Sequence, residues 1–362
     1  MTFLDQPDRW KPIDPKSMYL LVDSWPEQIE EAARNARAKE LPDGRNAGAI
    51  VVTGLGGSAI GGDLAKAVAG PDLVIPMIVN RDYNLPAFVN RSSLVIACSY
   101  SGSTEETLSA YGDARRAGAS IVCITSGGRL EEMARADSVP VLGLPGGLPP
   151  RAALGHSLVT LLVALQNMRI IADAGEAIKE AAALLRRLRE KYGVSSPQSR
   201  NIAKIWASSL AGKIVAIYGS SGIMEAVAFR WRTQIEENAK NLAFHQSLPE
   251  MNHNELVGWV YPEEALRRVG VVLLRDRGDH PQVKRRFELT AGIVAGKAGA
   301  LHEIWSEGDS LLARVLSMIS LGDYVSLYMA YLNGVDPTPV EVIDYLKKSL
   351  GAPKQPDTFG IS

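Results

Sequence analysis

The most constraining stretch of this 362-residue chain is an apolar run that gives way to hydroxyls and then to a helical pattern. Residues 94–98, Leu-Val-Ile-Ala-Cys, are apolar without alternation, as in a strand buried on both faces. Residues 99–107 read Ser-Tyr-Ser-Gly-Ser-Thr-Glu-Glu-Thr, and then Leu108, Tyr111 and Ala114 recur at helical spacing until Gly118. This predicts a strand-to-helix turn, with Ser103 and Glu106 as a capping box at the helix start. The first N–H groups of such a helix lack acceptors and favour an anion beyond the strand's end. Ser99, Ser101 and Thr104 add hydroxyl donors without charge, a combination that suits a phosphate monoester. An ordinary capped turn fits the same residues, because Ser and Thr favour caps.

The same grammar recurs along the chain. A helix is predicted over 25–38, with Ser24 as N-cap, Pro26 in the first turn and Ile29, Ala32, Ala33 and Ala36 on its apolar face. Residues 49–53 read as a buried strand, followed by a glycine-rich turn at 54–63, opening Gly-Leu-Gly-Gly-Ser, and a helix over 64–69. The glycines fall short of the dinucleotide fingerprint, since Ala59 stands where its last glycine belongs and no acidic residue closes the strand predicted at 73–79. A turn whose glycines, Gly57 among them, let the backbone approach a small phosphorylated ligand fits better, with Ser58 adding a hydroxyl. Further strands are predicted at 120–125 and 139–144. Short apolar strands alternating with helices imply a doubly wound parallel sheet, in which ligands sit beyond the carboxyl ends of the strands.

Residues 145–151 form a proline- and glycine-rich loop that presents Arg151 just before a long helical pattern over 152–172. A charged helix over 176–191 and the linker 193–199 follow. The pattern then restarts: a strand at 213–217, a glycine–serine turn at 218–222 and a helix over 223–240, with later strands at 269–274 and 301–305. Helices are predicted over 282–295, 310–331 and 340–350. The chain therefore divides into an N-terminal extension (1–45), one α/β unit (46–192), a linker (193–200), a second unit (201–335) and a C-terminal helix and tail (336–362). Glu236 and Glu237 near the end of the helix over 223–240, and His253 on the following loop, supply carboxylate and imidazole for acid–base work. The two glutamates point about 100° apart on a helix, so at most one lines a given pocket, and spacing does not say which.

Composition removes several classes of function. A net charge of −1 gives no electrostatic case for nucleic acid or an anionic membrane. Residues 1–16 carry Asp5, Asp8, Arg9 and Asp14 with no apolar run, so no secretory signal is expected. The most apolar helical stretch, 158–165, is too short to span a bilayer. Cys98 and Cys123 lie in apolar runs and are expected as buried free thiols. No Cys/His spacing suggests zinc. The expectation is a soluble, cytoplasmic protein working without metal or cofactor.

Taken together, Gly54–Ser58, the 99–107 motif, Glu237-Asn238-Ala239-Lys240, Pro249-Glu250-Met251-Asn252-His253-Asn254, the arginine loop before Ala-Leu-Gly-His and the C-terminal Asp-Tyr-Leu-Lys resemble the bifunctional phosphoglucose/phosphomannose isomerases of the sugar-isomerase (SIS) superfamily. The resemblance runs from about residue 45 to 350. It implies two SIS subdomains, each a flavodoxin-like parallel sheet flanked by helices, in a homodimer whose active site is completed by the second subunit. It implies reversible conversion of glucose 6-phosphate, and of mannose 6-phosphate as well, to fructose 6-phosphate through an enediolate, a step of glycolysis and gluconeogenesis. Gly57, Ser58, Ser99, Ser101 and Thr104 would hold the phosphate and Glu237 would move the proton. Arg151 would stabilise the enediolate. His253, from the other subunit, and Lys347, with Lys348 as the alternative, would assist ring opening. The resemblance also links mannose tolerance to a small threonine near that lysine, and Thr338 stands nearby. A non-catalytic SIS sensor of sugar phosphates would share the phosphate turns but has no use for Glu237 with His253. An amino-sugar synthase would need an N-terminal cysteine nucleophile, and a dehydrogenase a nicotinamide site.

Overall fold

The computed structural model describes residues 2–350; the end of the C-terminal tail lies outside the described residues. Three helices come first: α1 (Pro7–Trp10), α2 (Met18–Asp23) and α3 (Trp25–Arg37). Then β1 (Ala49–Thr53), α4 (Gly57–Ala69), β2 (Met77–Asn80), β3 (Ser93–Ser99), α5 (Glu105–Ala117), β4 (Ser120–Thr125), α6 (Gly128–Ala136) and β5 (Val141–Gly143) alternate. α7 (Leu154–Asn167), α8 (Gly175–Tyr192) and α9 (Ile202–Leu210) lead into the second unit. That unit comprises β6 (Ile214–Ser220), α10 (Ile223–Ala239), β7 (Ala243–Leu248), α11 (Glu263–Leu266), β8 (Val269–Arg275), α12 (Pro281–Val294) and β9 (Ala300–Trp305). α13 (Leu311–Asn333) and α14 (Glu341–Leu350) close the described chain.

Every strand pair is parallel, in the orders β2-β1-β3-β4-β5 and β7-β6-β8-β9. The α/β architecture of two helix-flanked parallel sheets is the one expected. All of β1 and β3 is buried, which is why their sequences are apolar without alternation. In the first sheet the strand order reverses between β1 and β3, so their carboxyl ends, at Gly54 and Ser99, frame the crevice where such sheets take ligands.

Several local expectations are revised. Residues 57–63 are not part of a turn but the start of α4, because its glycines let the helix lie against the sheet: a Cβ on Gly62 would stand 3.0 Å from Val52. The α5 N-cap is Thr104 rather than Ser103, without a side-chain cap bond, since the Thr104 hydroxyl is engaged with Ser99 instead. Gly118 ends α5 as expected, with φ of 69°. Ser24 stands at the N-cap of α3, but its hydroxyl donates backwards to the Leu21 carbonyl at 2.8 Å. β2 and β5 are shorter than predicted. Strand β7 is absent from the sequence reading: its Ala-Phe-His-Gln-Ser-Leu run is too polar to signal a strand and sits at a sheet edge.

α13 is the hub of the molecule. Apart from Arg314, all of residues 312–331 are buried, against α8, α9 and α10. It is also longer than the 158–165 stretch singled out from sequence; by length and composition it is apolar enough to cross a membrane, yet 94 % of its most apolar window is buried in the protein. Gly322 permits the closest approach, since a Cβ there would fall 2.5 Å from the Trp231 ring. The N-terminal segment docks on the same helix: Trp10 stacks on Tyr331 with centroids 4.9 Å apart, and Asp14 accepts the Tyr331 hydroxyl at 2.8 Å. Asp5 pairs with the buried Lys204 at 3.0 Å. Cys98 and Cys123 are free and buried, and burial raises both thiol pKa values, that of Cys123 to about 12.

Candidate active site

The hydroxyl cradle is built on the carboxyl ends of β1 and β3. Ser99, the last residue of β3 and 1 % exposed, shares a 2.9 Å hydrogen bond with the Thr104 hydroxyl across the turn. Ser58, in the first turn of α4, accepts the Tyr100 N–H at 3.3 Å, tying the two turns together. Ser101 is exposed, and its hydroxyl accepts the Ser103 N–H at 3.3 Å. The N-termini of α4 and α5 face this cradle, where the dipoles and unpaired N–H groups favour an anion. The turn after β4 braces it. Ser126 donates from its hydroxyl (2.6 Å) and its N–H (3.0 Å) to the Tyr100 carbonyl, and Leu130 N–H donates to the Gly102 carbonyl at 2.8 Å.

Arg151 stands next to the cradle. It lies on a 3-10 turn, Pro150–Ala153, and not on an irregular loop, and α7 begins only at Leu154. A Cβ on Gly57 would meet the Pro150 carbonyl oxygen at 3.2 Å, so the missing side chain lets the arginine turn pack on the start of α4. The guanidinium is 4 % exposed and crosses into the second unit. Its Nε donates to Asn238 Oδ1 (2.7 Å), Nη1 to Glu237 Oε2 (3.4 Å), and Nη2 to the carbonyls of Pro337 (2.5 Å) and Thr338 (2.9 Å). Hydrogen bonds to a charged group contribute about 1.5–3 kcal/mol each, so this set offsets a desolvation cost of several kcal/mol. Burial pulls the guanidinium below the ordinary arginine range, and the Glu237 charge opposes that.

The structure separates the two glutamates. Glu237 faces Arg151 with its side chain 29 % exposed, whereas Glu236 pairs with Arg232 at 3.3 Å on the preceding turn. Burial raises the Glu236 carboxyl, with Arg232 opposing. Arg151 and Glu237 therefore form one constellation beside the cradle of Ser58, Ser99 and Thr104.

His253 and the lysines are not brought to it. Leu248 accepts the Ser221 N–H at 2.9 Å, which puts the end of β7 at the start of α10. Glu237 lies fourteen residues further along that helix, about 20 Å away at 1.5 Å per residue. His253, itself exposed, follows β7 on a 3-10 turn at the opposite end of the second unit from Glu237. Lys347 and Lys348 project from α14, every residue of which is exposed, and neither forms a hydrogen bond or ion pair among the described residues. Among the described residues no group of three His, Cys, Asp or Glu side chains is placed to hold a metal ion.

Sequence reading passed over Arg230 and Asp323 and gave Asn238, named in the motif, no role of its own. Arg230 is flanked by Phe229 and Trp231, and Asp323 is the one carboxylate in the apolar α13 run. A charge in such a setting signals a buried partner.

Residues 199–350 match the family described as the bacterial phospho-glucose isomerase C-terminal SIS domain. The chain is 44 % identical over 340 residues to a bifunctional phosphoglucose/phosphomannose isomerase of Caldicellulosiruptor bescii, covering 92 % of this chain and 98 % of that one. It is 39 % identical over 304 residues to the protein of the same name from Aquifex aeolicus, covering 83 % and 90 %. The fold matches a glucose-6-phosphate isomerase like protein from Thermus thermophilus with a TM-score of 0.63 at 19 % identity, covering 93 % and 98 %. A hydroxyl cradle at the switch point of one sheet, joined through a buried arginine to a glutamate on the other unit, is thus carried on a sequence with near full-length relatives: the chain belongs to the bifunctional phosphoglucose/phosphomannose isomerase family.

Proposed function

We propose that the protein interconverts glucose 6-phosphate and mannose 6-phosphate with fructose 6-phosphate, as the names of its relatives say of them. The observation that carries this reading is the 3.4 Å pair of Arg151 and Glu237 beside the hydroxyl cradle. Gly57, Ser58, Ser99, Ser101 and Thr104 bind the phosphate, which supplies binding energy away from the reacting carbons. Glu237 takes the proton from C2 and returns it to C1. Arg151 Nη1 faces the same space and stabilises the enediolate oxygen. Nothing in this proton transfer calls for a metal or cofactor.

His253 comes from a second subunit. His253 cannot reach Glu237 within one chain, so a site that uses it needs a partner. The surface that follows it in the chain supports this reading, with Val257 76 % exposed and Tyr261 80 % exposed. Lys347, or Lys348, acts in ring opening from α14, which directly follows the Pro337 and Thr338 carbonyls that hold Arg151. The reading places the protein in the cytoplasm, where hexose 6-phosphates are formed and consumed.

The test is incubation of EDTA-treated protein with fructose 6-phosphate, followed by NMR. Both aldose phosphates are expected. Glucose 6-phosphate alone would remove the mannose assignment, and tight binding without product would favour a sensor. Glu237→Gln is expected to bind fructose 6-phosphate while losing at least about a hundredfold in turnover. An active Glu237→Gln with an inactive Glu236→Gln would move the base by one residue.

A further inference from the structure

The guanidinium contacts of Arg151 explain where its side chain goes, but its peptide is held by a separate set of groups. Its carbonyl accepts a hydrogen bond from Arg230 Nη2 at 2.8 Å, and the next carbonyl, of Ala152, accepts one from Gln28 Nε2 at 2.9 Å. Arg230 and Asp323 are each 1 % exposed and form a two-pronged pair, Nε to Oδ1 at 3.2 Å and Nη2 to Oδ2 at 2.9 Å. The Asp323 carbonyl accepts the Ser326 hydroxyl at 2.8 Å, and that hydroxyl accepts Asn238 Nδ2 at 3.0 Å. Asn238 Oδ1 then accepts Arg151 Nε at 2.7 Å. The bonds close a ring that leaves Arg151 by its carbonyl and returns to it at its guanidinium.

A buried ion pair is a poor stabiliser compared with apolar residues of the same volume, so stability alone does not account for Arg230 and Asp323. A preorganised donor needs both ends of its side chain fixed, because a shift of about 1 Å at a reacting group can cost a hundredfold in rate. Glu237, 3.4 Å away, would otherwise draw the guanidinium towards itself. We propose that Arg230, seated on Asp323, and Gln28 from the N-terminal extension are positioning residues for Arg151. They fix its turn so that Nη1 stays aimed at the oxygen that becomes negative during isomerisation. None of them touches the substrate. The inference rests on the isomerase reading above and gives the N-terminal extension a part in catalysis.

The experiment compares wild type, Gln28→Met, Arg230→Lys and the charge-neutral double variant Arg230→Met with Asp323→Leu, each with Arg151 and with Arg151→Lys. Turnover of fructose 6-phosphate and Tm are measured for all. With Arg151 present, kcat is expected to fall about 10- to 100-fold, with KM changed by less than about threefold because the hydroxyls that bind the phosphate keep their own contacts. In the Arg151→Lys background the same changes are expected to cost less than about a further threefold, since groups acting through one residue are not additive. Folded variants with wild-type kcat, or losses that multiply with that of Arg151→Lys, would overturn the proposal. Should the double variant not fold, Gln28→Met and Arg230→Lys decide the matter. An inactive wild type removes the isomerase reading and this inference together, whereas an active wild type with unaffected variants removes only this inference.

Discussion

Gly102 is the residue on which the cradle's geometry is most exposed to a single methyl group. Its φ is +66°, and a Cβ placed on it would lie 1.8 Å from the Gly127 carbonyl oxygen. Ordinary contact begins at 3.4 Å, so in Gly102→Ala one of the two turns must give by about 1.6 Å. The retreat works against five short bonds: Ser126 to Tyr100 twice, Leu130 to Gly102, Thr125 Oγ1 to the Gly127 carbonyl, and the 2.9 Å hydroxyl pair of Ser99 with Thr104. The left-handed φ costs an alanine about 1–2 kcal/mol, and the overpacking about 1–3 kcal/mol. A total of roughly 2–5 kcal/mol against a typical stability of 5–15 kcal/mol leaves the protein folded at 25 °C with a lowered Tm. Activity suffers more, because a displacement above about 1 Å at a binding group costs on the order of a hundredfold. Steady-state kinetics with fructose 6-phosphate should show kcat/KM down by at least about a hundredfold, in protein that still unfolds cooperatively. Gly102→Ala with kcat/KM within about threefold of wild type would show that the cradle does not depend on this turn.

His156, His245 and His302 are held below the ordinary imidazole pKa, in each case chiefly by burial. The unfolded chain therefore takes up protons first as the pH falls below about 6.5, and stability drops at up to about 1.4 kcal/mol per pH unit for each histidine. Tm measured from pH 7.5 to 5.5 should fall, and His302→Gln, which removes the imidazole stacked on Trp206, should flatten the slope; an unchanged slope would contradict the assignment. Gly292 sits exposed in α12 with open space where a Cβ would go, so Gly292→Ala should stabilise by about 0.5–1 kcal/mol, read as a higher urea midpoint. Native protein should release no chromophore from a thiol-exchange reagent, and two equivalents should appear in denaturant; rapid labelling of the folded protein would show that Cys98 or Cys123 is not buried as described.

The sheets were legible because parallel strands buried on both faces must be apolar through their middles, as β1, β3 and β8 are. β7 was not, because an edge strand needs an apolar residue only where it meets the core. The cradle hydroxyls could be read from the chain because a strand, a turn and a helix start are all local. The cap of α5 shifted by one residue, from Ser103 to Thr104, because Ser99 competes for the threonine hydroxyl across the turn. The choice between Glu236 and Glu237 needed Arg151, eighty-six residues away in the chain from Glu237. Gln28 was beyond reach for the same reason: its partner lies 124 residues on. Local pattern gives elements and turns, whereas a buried polar contact between distant segments leaves only the trace of a charge or amide in an apolar run.

The position of α13 carries a consequence for how the protein is made. Synthesis runs at about 5–20 residues per second, so α13 emerges roughly 15–60 s after the N-terminal helices. From its own emergence until then, each of Trp10, Tyr192 and Trp231, which contact Tyr331, Tyr324 and Met318 of α13, has no helix to close over it. The first sheet can assemble on the ribosome, but its unit stays open along one side until nearly the whole chain is out. Two halves that look like separable modules are thus committed to maturing together, and these aromatic rings stay uncovered until the last long helix arrives.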